Sequence, residues 1–255
     1  MREQSIDEFL MSKFIERVLF IKDILGVYGS FKEITSRYQS PENDKEKNEK
    51  IIHLSQKKFS EVLKGEYIID DNHEEKIILS SQESISLRHA SSGQQEAVRI
   101  LQDIFSVILK QSKVFRIVEE PEAHLFPVAQ KSLIELLALM VNQDDDNQLI
   151  ITTHSPYVLT VFNNLLFAQR VVDKNPSAEA EVAELIPKEF WLKAKDFSAY
   201  SLNNSSIHKE PEYCESIFNN QTGAIQQNYL DKVSETWGGD FNYLYRLYTK
   251  TSRRK

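Results

Sequence analysis

Residues 114–127 read VFRIVEEPEAHLFP and residues 149–156 read LIITTHSP, and the fold turns on these two stretches. Each opens with a short apolar run, VFRIV (114–118) and LIITT (149–153), of the kind that forms a strand buried on both faces of a parallel sheet. Pro127 suits the first turn of a helix that keeps Ala129, Leu133, Leu136, Leu137 and Met140 on one side. The triplet Asp144, Asp145 and Asp146 reads as a polar loop between that helix and the second strand. Ser155 and Pro156 then look like an N-cap and first-turn pair opening another helix. Upstream, Ala97, Leu101, Ile104, Phe105, Ile108 and Leu109 make one helical stripe, with Ser92 and Gln95 as a capping-box pair at its start. Helix, strand, helix, strand, helix at these lengths predicts an α/β fold, a parallel sheet flanked by helices.

Working outward, the runs EYIID, KIILS and SISLR between residues 66 and 88, with the turn Asp70, Asp71 and Asn72, predict a small antiparallel meander. Residues 6–25 carry apolar side chains at helical spacing and predict an amphipathic helix. PENDKEKNEK (41–50) has no apolar residue and reads as a solvated linker or an exposed helix start. The organisation expected is therefore a helical arm with its charged linker over 1–65, the meander over 66–90, and the α/β lobe over 91–255. Within that lobe AEVAELIP (180–187) and FSAYSL (197–202) are candidate edge strands, and residues 225–249 are candidate closing helices broken at Gly238-Gly239.

Composition removes several function classes. The net charge is −7, from 31 basic and 38 acidic residues, which argues against a broad nucleic-acid surface despite the basic tail Arg253, Arg254 and Lys255. One cysteine, Cys214, excludes a disulfide framework and cysteine-rich zinc patterns. Charges interrupt the N-terminal apolar stretch every few residues, so neither a signal peptide nor a membrane span is expected, and a cytoplasmic location is. The seven glycines include no pair five apart followed by Lys and Ser or Thr, and no dinucleotide fingerprint. A standard phosphate-cradling glycine loop is thus missing from these residues.

Ligands meet parallel sheets just past the carboxyl ends of the strands. Glu119 and Glu120 follow the first predicted strand, and such a carboxylate pair suits a magnesium ion plus a general base. His154 follows the second strand, where an imidazole can donate to a phosphate oxygen or position a water. The turn ASSGQQE (90–96) offers hydroxyls and backbone N–H groups at a helix start, an arrangement that attracts anions. An independent metal hydrolase built on Glu119, Glu120, Glu122 and His124 is a weaker reading, because Pro121 keeps these residues off one regular helix face.

The order ASSGQQE, FRIVEEPEAHLFP, IITTHSPYVL resembles the C-terminal half of an ABC-type, P-loop ATPase, in the branch of RecF-like, OLD-type and anti-phage defence ATPases. The likeness is good over about residues 60–170 and looser over the closing segment. It implies a partial P-loop NTPase fold and ATP with Mg2+ as cofactors. It places Glu119 at the Walker B magnesium acid, where Asp is usual, and Glu120 at the base that polarises water. His154 matches the switch histidine, and Ser91, Ser92, Gly93 and Gln94 match the signature that closes over ATP held by the opposite protomer. Glu122, His124 and Pro127 fall at the dimer seam. The resemblance further implies a P-loop-containing lobe or protomer acting in trans, a homo- or hetero-oligomer, and an effector such as a nuclease or a DNA contact. The alternative is a non-catalytic dimerisation or effector-binding module on a degenerate ATPase fold.

Overall fold

The computed structural model describes residues 6–37, 45–202, 214–226, 239 and 243–246. The chain divides into two compact units, Met1–Thr153 with Pro187–Phe190, and His154–Ile186 with Trp191–Lys255. Most of the candidate closing helices, the basic tail and linker residues 41–44 lie outside the described residues.

The first unit opens with helices α1 (Ile6–Tyr28), α2 (Phe31–Arg37) and α3 (Lys45–Leu63). The charged stretch from residue 45 is thus the first turns of α3, and its apolar stripe begins at Ile51 and Ile52. The meander forms as three antiparallel strands, β1 (Glu66–Ile69), β2 (Glu75–Ile78) and β3 (Ser84–Ser86). Its first turn is closed by Asp70, whose Oδ1 accepts from the N–H groups of Asn72 and Glu74 and whose Oδ2 accepts from Lys76. Helix α4 (Ser92–Lys110), strand β4 (Phe115–Glu119), helix α5 (Pro127–Val141) and strand β5 (Gln148–Thr152) follow. β4 and β5 pair in parallel, with Ile117 beside Ile150 and Glu119 beside Thr152.

The core of this unit lies among α3, α4 and α5. Leu101, Ile104, Leu133, Ile134 and Leu136 are fully buried, each burial stabilising by about 1.5–3 kcal/mol. Phe31 packs on Phe59, Tyr67 and Phe105, with ring centroids 5.1, 5.6 and 4.5 Å away. Lys58 of α3 reaches two carboxylates, Glu135 of α5 at 2.7 Å and Glu61 at 2.7 Å, and Ser132 donates to Glu61 at 2.6 Å. Burial alone would pull the Lys58 ammonium down, but these two acids hold it above its ordinary value.

One expectation is corrected by the pair of parallel strands. Their apolar runs read as buried on both faces, yet exposure alternates along both strands, leaving Phe115 57% and Ile117 56% exposed beside Ile150. An apolar run permits cover on both sides, whereas the neighbouring elements decide whether cover is present. On the opposite face Arg116 grips Asp103 of α4, with Nε at 2.6 Å and Nη2 at 3.1 Å from the carboxylate.

The second unit holds α6 (Pro156–Lys174), α7 (Glu179–Leu185) and the short strands β6 (Tyr200–Leu202), β7 (Cys214–Ser216), β8 (Phe218–Asn219) and β9 (Ala224–Ile225). Helix α6 buries Val158, Val161, Phe162, Leu165 and Leu166, and Phe197 stacks between Phe162 and Phe218 at 5.4 and 5.3 Å. Asn163 acts as a strand mimic, with Nδ2 donating to the Ile225 carbonyl at 3.0 Å and Oδ1 accepting the Ile225 N–H at 2.7 Å. Most of the segment read as the edge strand AEVAELIP lies in helix α7, whose Ala, Glu and Leu residues favour helix. FSAYSL supplies a strand only over Tyr200–Leu202.

Candidate functional site

Glu119 is the last residue of β4, on its exposed face with Phe115 and Ile117. The strand stops there because Glu120 adopts φ +43°, a left-handed conformation that a non-glycine residue holds only at some cost. Its N–H donates to both the carbonyl (3.0 Å) and the Oγ1 (3.2 Å) of Thr152 on β5. The last hydrogen bonds of the parallel pair thus hold the kink, and both carboxylates are left exposed at the strand's carboxyl end. Glu122 behaves differently. It is buried, and its Oε1 accepts from Thr153 Oγ1 at 2.5 Å, which ties the loop after β4 to the residue after β5.

Ser91, Ser92, Gly93 and Gln94 form the start of α4 at one edge of this loop. The capping box is made by Ser91 and Gln94, not by Ser92 and Gln95 as the sequence suggests. Ser91 Oγ accepts the Gln94 N–H at 3.4 Å, and Gln94 Oε1 accepts the Ser91 N–H at 3.1 Å. Gln95 instead turns back, its Nε2 donating to the Ala90 carbonyl at 2.8 Å. The one-residue difference follows from Ser91 being the last extended residue, with ψ 152°. Gln94 Nε2 also donates to the Leu63 carbonyl at the end of α3 at 2.7 Å, and Ser92 is exposed. Gly93 is buried against the loop after β4, and a Cβ there would sit 2.4 Å from the His124 carbonyl oxygen. His124, itself at φ +59°, places Nδ1 3.2 Å from Glu96 Oε2.

The structure therefore brings the Ser91–Gln94 turn and the loop carrying Glu119 and Glu120 together within the first unit. His154 is an exposed residue of the second unit, immediately before the N-cap of α6, Ser155. Among the described residues no group of three His, Cys, Asp or Glu side chains is arranged to hold a metal ion, so the four-residue hydrolase centre does not assemble. Magnesium bound with a nucleotide does not need such a cage, since it takes one or two carboxylates and completes its shell with phosphates and water. The exposed Glu119 fits that use. Thr152, Thr153 and Asp103 were not visible as site-supporting residues in the sequence, because pairing register and helix placement bring them in.

A family model of the AAA ATPase domain matches residues 10–159, more than half of the chain. The chain belongs to this AAA ATPase domain family. The matched segment of this ATPase domain contains α2–α5, β1–β5 and most of α1, and it ends just after His154. Membership implies use of ATP, usually with Mg2+, and the parallel pair flanked by helices fits a partial P-loop NTPase fold. Two solved structures are similar in part. One comes from work on ATP-driven dimerisation and DNA-stimulated activation of SMC ATPases, with 14% identity and a TM-score of 0.34 over 46% of this chain and 74% of that one. The other is an SMC head bound to the C-terminal winged-helix domain of ScpA, with 17% identity and a TM-score of 0.36 over 58% of this chain and 46% of that one. Likeness at this level carries no functional weight. No curated protein matches the chain. Among the described residues no helix is long and apolar enough to cross a membrane.

Proposed function

We propose that this AAA ATPase domain is the C-terminal, signature and Walker B lobe of a split or truncated ABC-type ATPase, in the branch of RecF-like, OLD-type and anti-phage defence ATPases. The observation that carries the reading is the pair Glu119 and Glu120, exposed at the carboxyl end of a parallel strand with the Ser91–Gln94 turn packed on the loop that follows them. In this reading Glu119 holds magnesium, which when bound neutralises charge on the phosphates of ATP. Glu120 orients the attacking water and takes its proton, and His154 donates to a γ-phosphate oxygen. The turn Ser91–Gln94 faces nucleotide held by another protomer. In this reading a P-loop, whose glycine spacing is not found in these 255 residues, is supplied by another lobe or protomer. Hydrolysis then opens and closes an oligomer that governs an effector such as a nuclease.

The test is ATP turnover by this chain with and without the product of the neighbouring upstream reading frame. Turnover is expected to appear only on mixing, and Glu120→Gln is expected to lower it by about 10²- to 10⁴-fold. No gain on mixing, or a Glu120→Gln variant as active as the parent, overturns the reading. One observation favours a second reading, that of a non-catalytic dimerisation module: the side chains of Ser91 and Gln94 are engaged in capping α4 and, for Gln94, in holding Leu63. Absence of any binding of a fluorescent ATP analogue to the mixed assembly decides for that module.

A further inference from the structure

Away from the carboxylate pair, the first unit contains a cavity of about 330 Å³ between α2, α3 and β1, within the size range of small-ligand sites. Its inner wall is built from Phe31, Phe59, Leu63 and Tyr67, all buried. The Tyr67 hydroxyl is turned elsewhere, accepting from Gln102 Nε2 at 3.2 Å, so the ring and not the polar tip belongs to the wall. The mouth carries Lys32 from α2 and His53, Lys57 and Ser60 from α3. His53, Lys57 and Ser60 stand at helical positions i, i+4 and i+7, which puts them on one face of α3. Lys57 also acts electrostatically on Glu61, one helical turn further along α3, so Lys32 is the cation of this mouth with the less engaged charge. Glu66 is the single acid among the lining residues.

We infer that this cavity binds a small hydroxylated phosphate ester. Two ammonium groups, an imidazole and a hydroxyl line this one cavity from two helices, and together they offer several donors to one multi-oxygen dianion, more than a single carboxylate would use. Lysine serves as a point-charge phosphate binder of this kind. Glu66, an acceptor at the same mouth, suits a hydroxyl of the ligand body and disfavours a second anionic end. Leu63 lines the cavity and its carbonyl accepts from Gln94 of the Ser91–Gln94 turn.

The test uses the full chain and ribose 5-phosphate as probe, with ribose as the phosphate-free control, followed by calorimetry and by the ring proton signals of His53. Saturable binding of one equivalent of ribose 5-phosphate is expected, with shifts at His53 and no response to ribose. The exposed pair Lys32→Ala/Lys57→Ala should weaken binding at least tenfold. Glu66→Gln should weaken ribose 5-phosphate but leave inorganic phosphate unchanged. Glu120→Gln should leave all of these values unchanged, which separates this site from the proposed ATPase site. No saturable binding of the probe by the parent chain, or equal binding by a folded Lys32→Ala/Lys57→Ala variant, overturns the inference; Lys57→Gln alone gives the same decision if the double variant fails to fold.

Discussion

Gly93 illustrates how a residue acquires a reason that its motif does not state. In the sequence it belongs to a turn expected to face phosphate; in the structure its hydrogen side is pressed against the His124 carbonyl, where a Cβ would come within 2.4 Å. That neighbour is backbone and cannot swing aside as a flexible side chain would. Gly93→Ala should therefore destabilise the first unit by about 2 kcal/mol, although alanine is the better helix former. Urea denaturation measures it, and a midpoint equal to the parent's shows that the loop after β4 yields. Glu120 is the companion case. Its φ of +43° is held by two hydrogen bonds to Thr152, so the carboxylate direction is fixed by β5 as much as by its own strand.

At the scale of elements, α4 is the hub. Its N-terminus is the Ser91–Gln94 turn, and its middle carries Arg99 to Glu75 of β2 at 2.7 Å and Asp103 to Arg116 of β4. Asp103 also has Arg17 of α1 at 3.6 Å. The helix that begins at the Ser91–Gln94 turn is thus clamped to the strand that ends in Glu119. Removing one partner of a largely buried, bidentate pair leaves the other uncompensated. Asp103→Ala should cost about 2 kcal/mol, and a double-mutant cycle with Arg116→Met should return a coupling of at least about 1 kcal/mol. Additive effects in that cycle refute the clamp. The helical stripe 97–109 and the two short apolar runs were legible in the sequence because a period of 3.6 and an unbroken apolar run are local properties. The Asp103–Arg116 clamp was not, since its partners, 13 positions apart, are brought together only by packing α4 on the strand.

For the whole molecule the charges predict an acid limit. Burial pushes the Glu75 carboxyl up, but Lys22 and Arg99 outweigh it and hold Glu75 below its ordinary value. Burial likewise acts against Glu61, and Lys58 and Ser132 bring it down. A carboxylate lowered on folding contributes stability that is complete above the unfolded pKa of about 4.3 and is lost as pH falls through the folded value. The urea midpoint of the parent chain should thus fall below about pH 4.5, while the gap between parent and Glu75→Gln, open at pH 7, should close towards pH 3. A gap that stays constant over that range rules out Glu75 as a contributor. The same network joins α1, the meander and α4, so acid should loosen these elements together.

What the sequence determined by itself is the alternation of helices and parallel strands, the antiparallel meander, and the position of Glu119 and Glu120 at a strand end. All depend on the order and spacing of residues within a few turns or strand lengths. Tertiary structure alone decided that one face of the parallel pair is bare, that Ser91 rather than Ser92 caps α4, that residues 179–185 are a helix, and that Gly93 abuts His124. Each of these depends on which element lies alongside. An apolar run or a serine pair is compatible with several neighbours, and only packing selects among them.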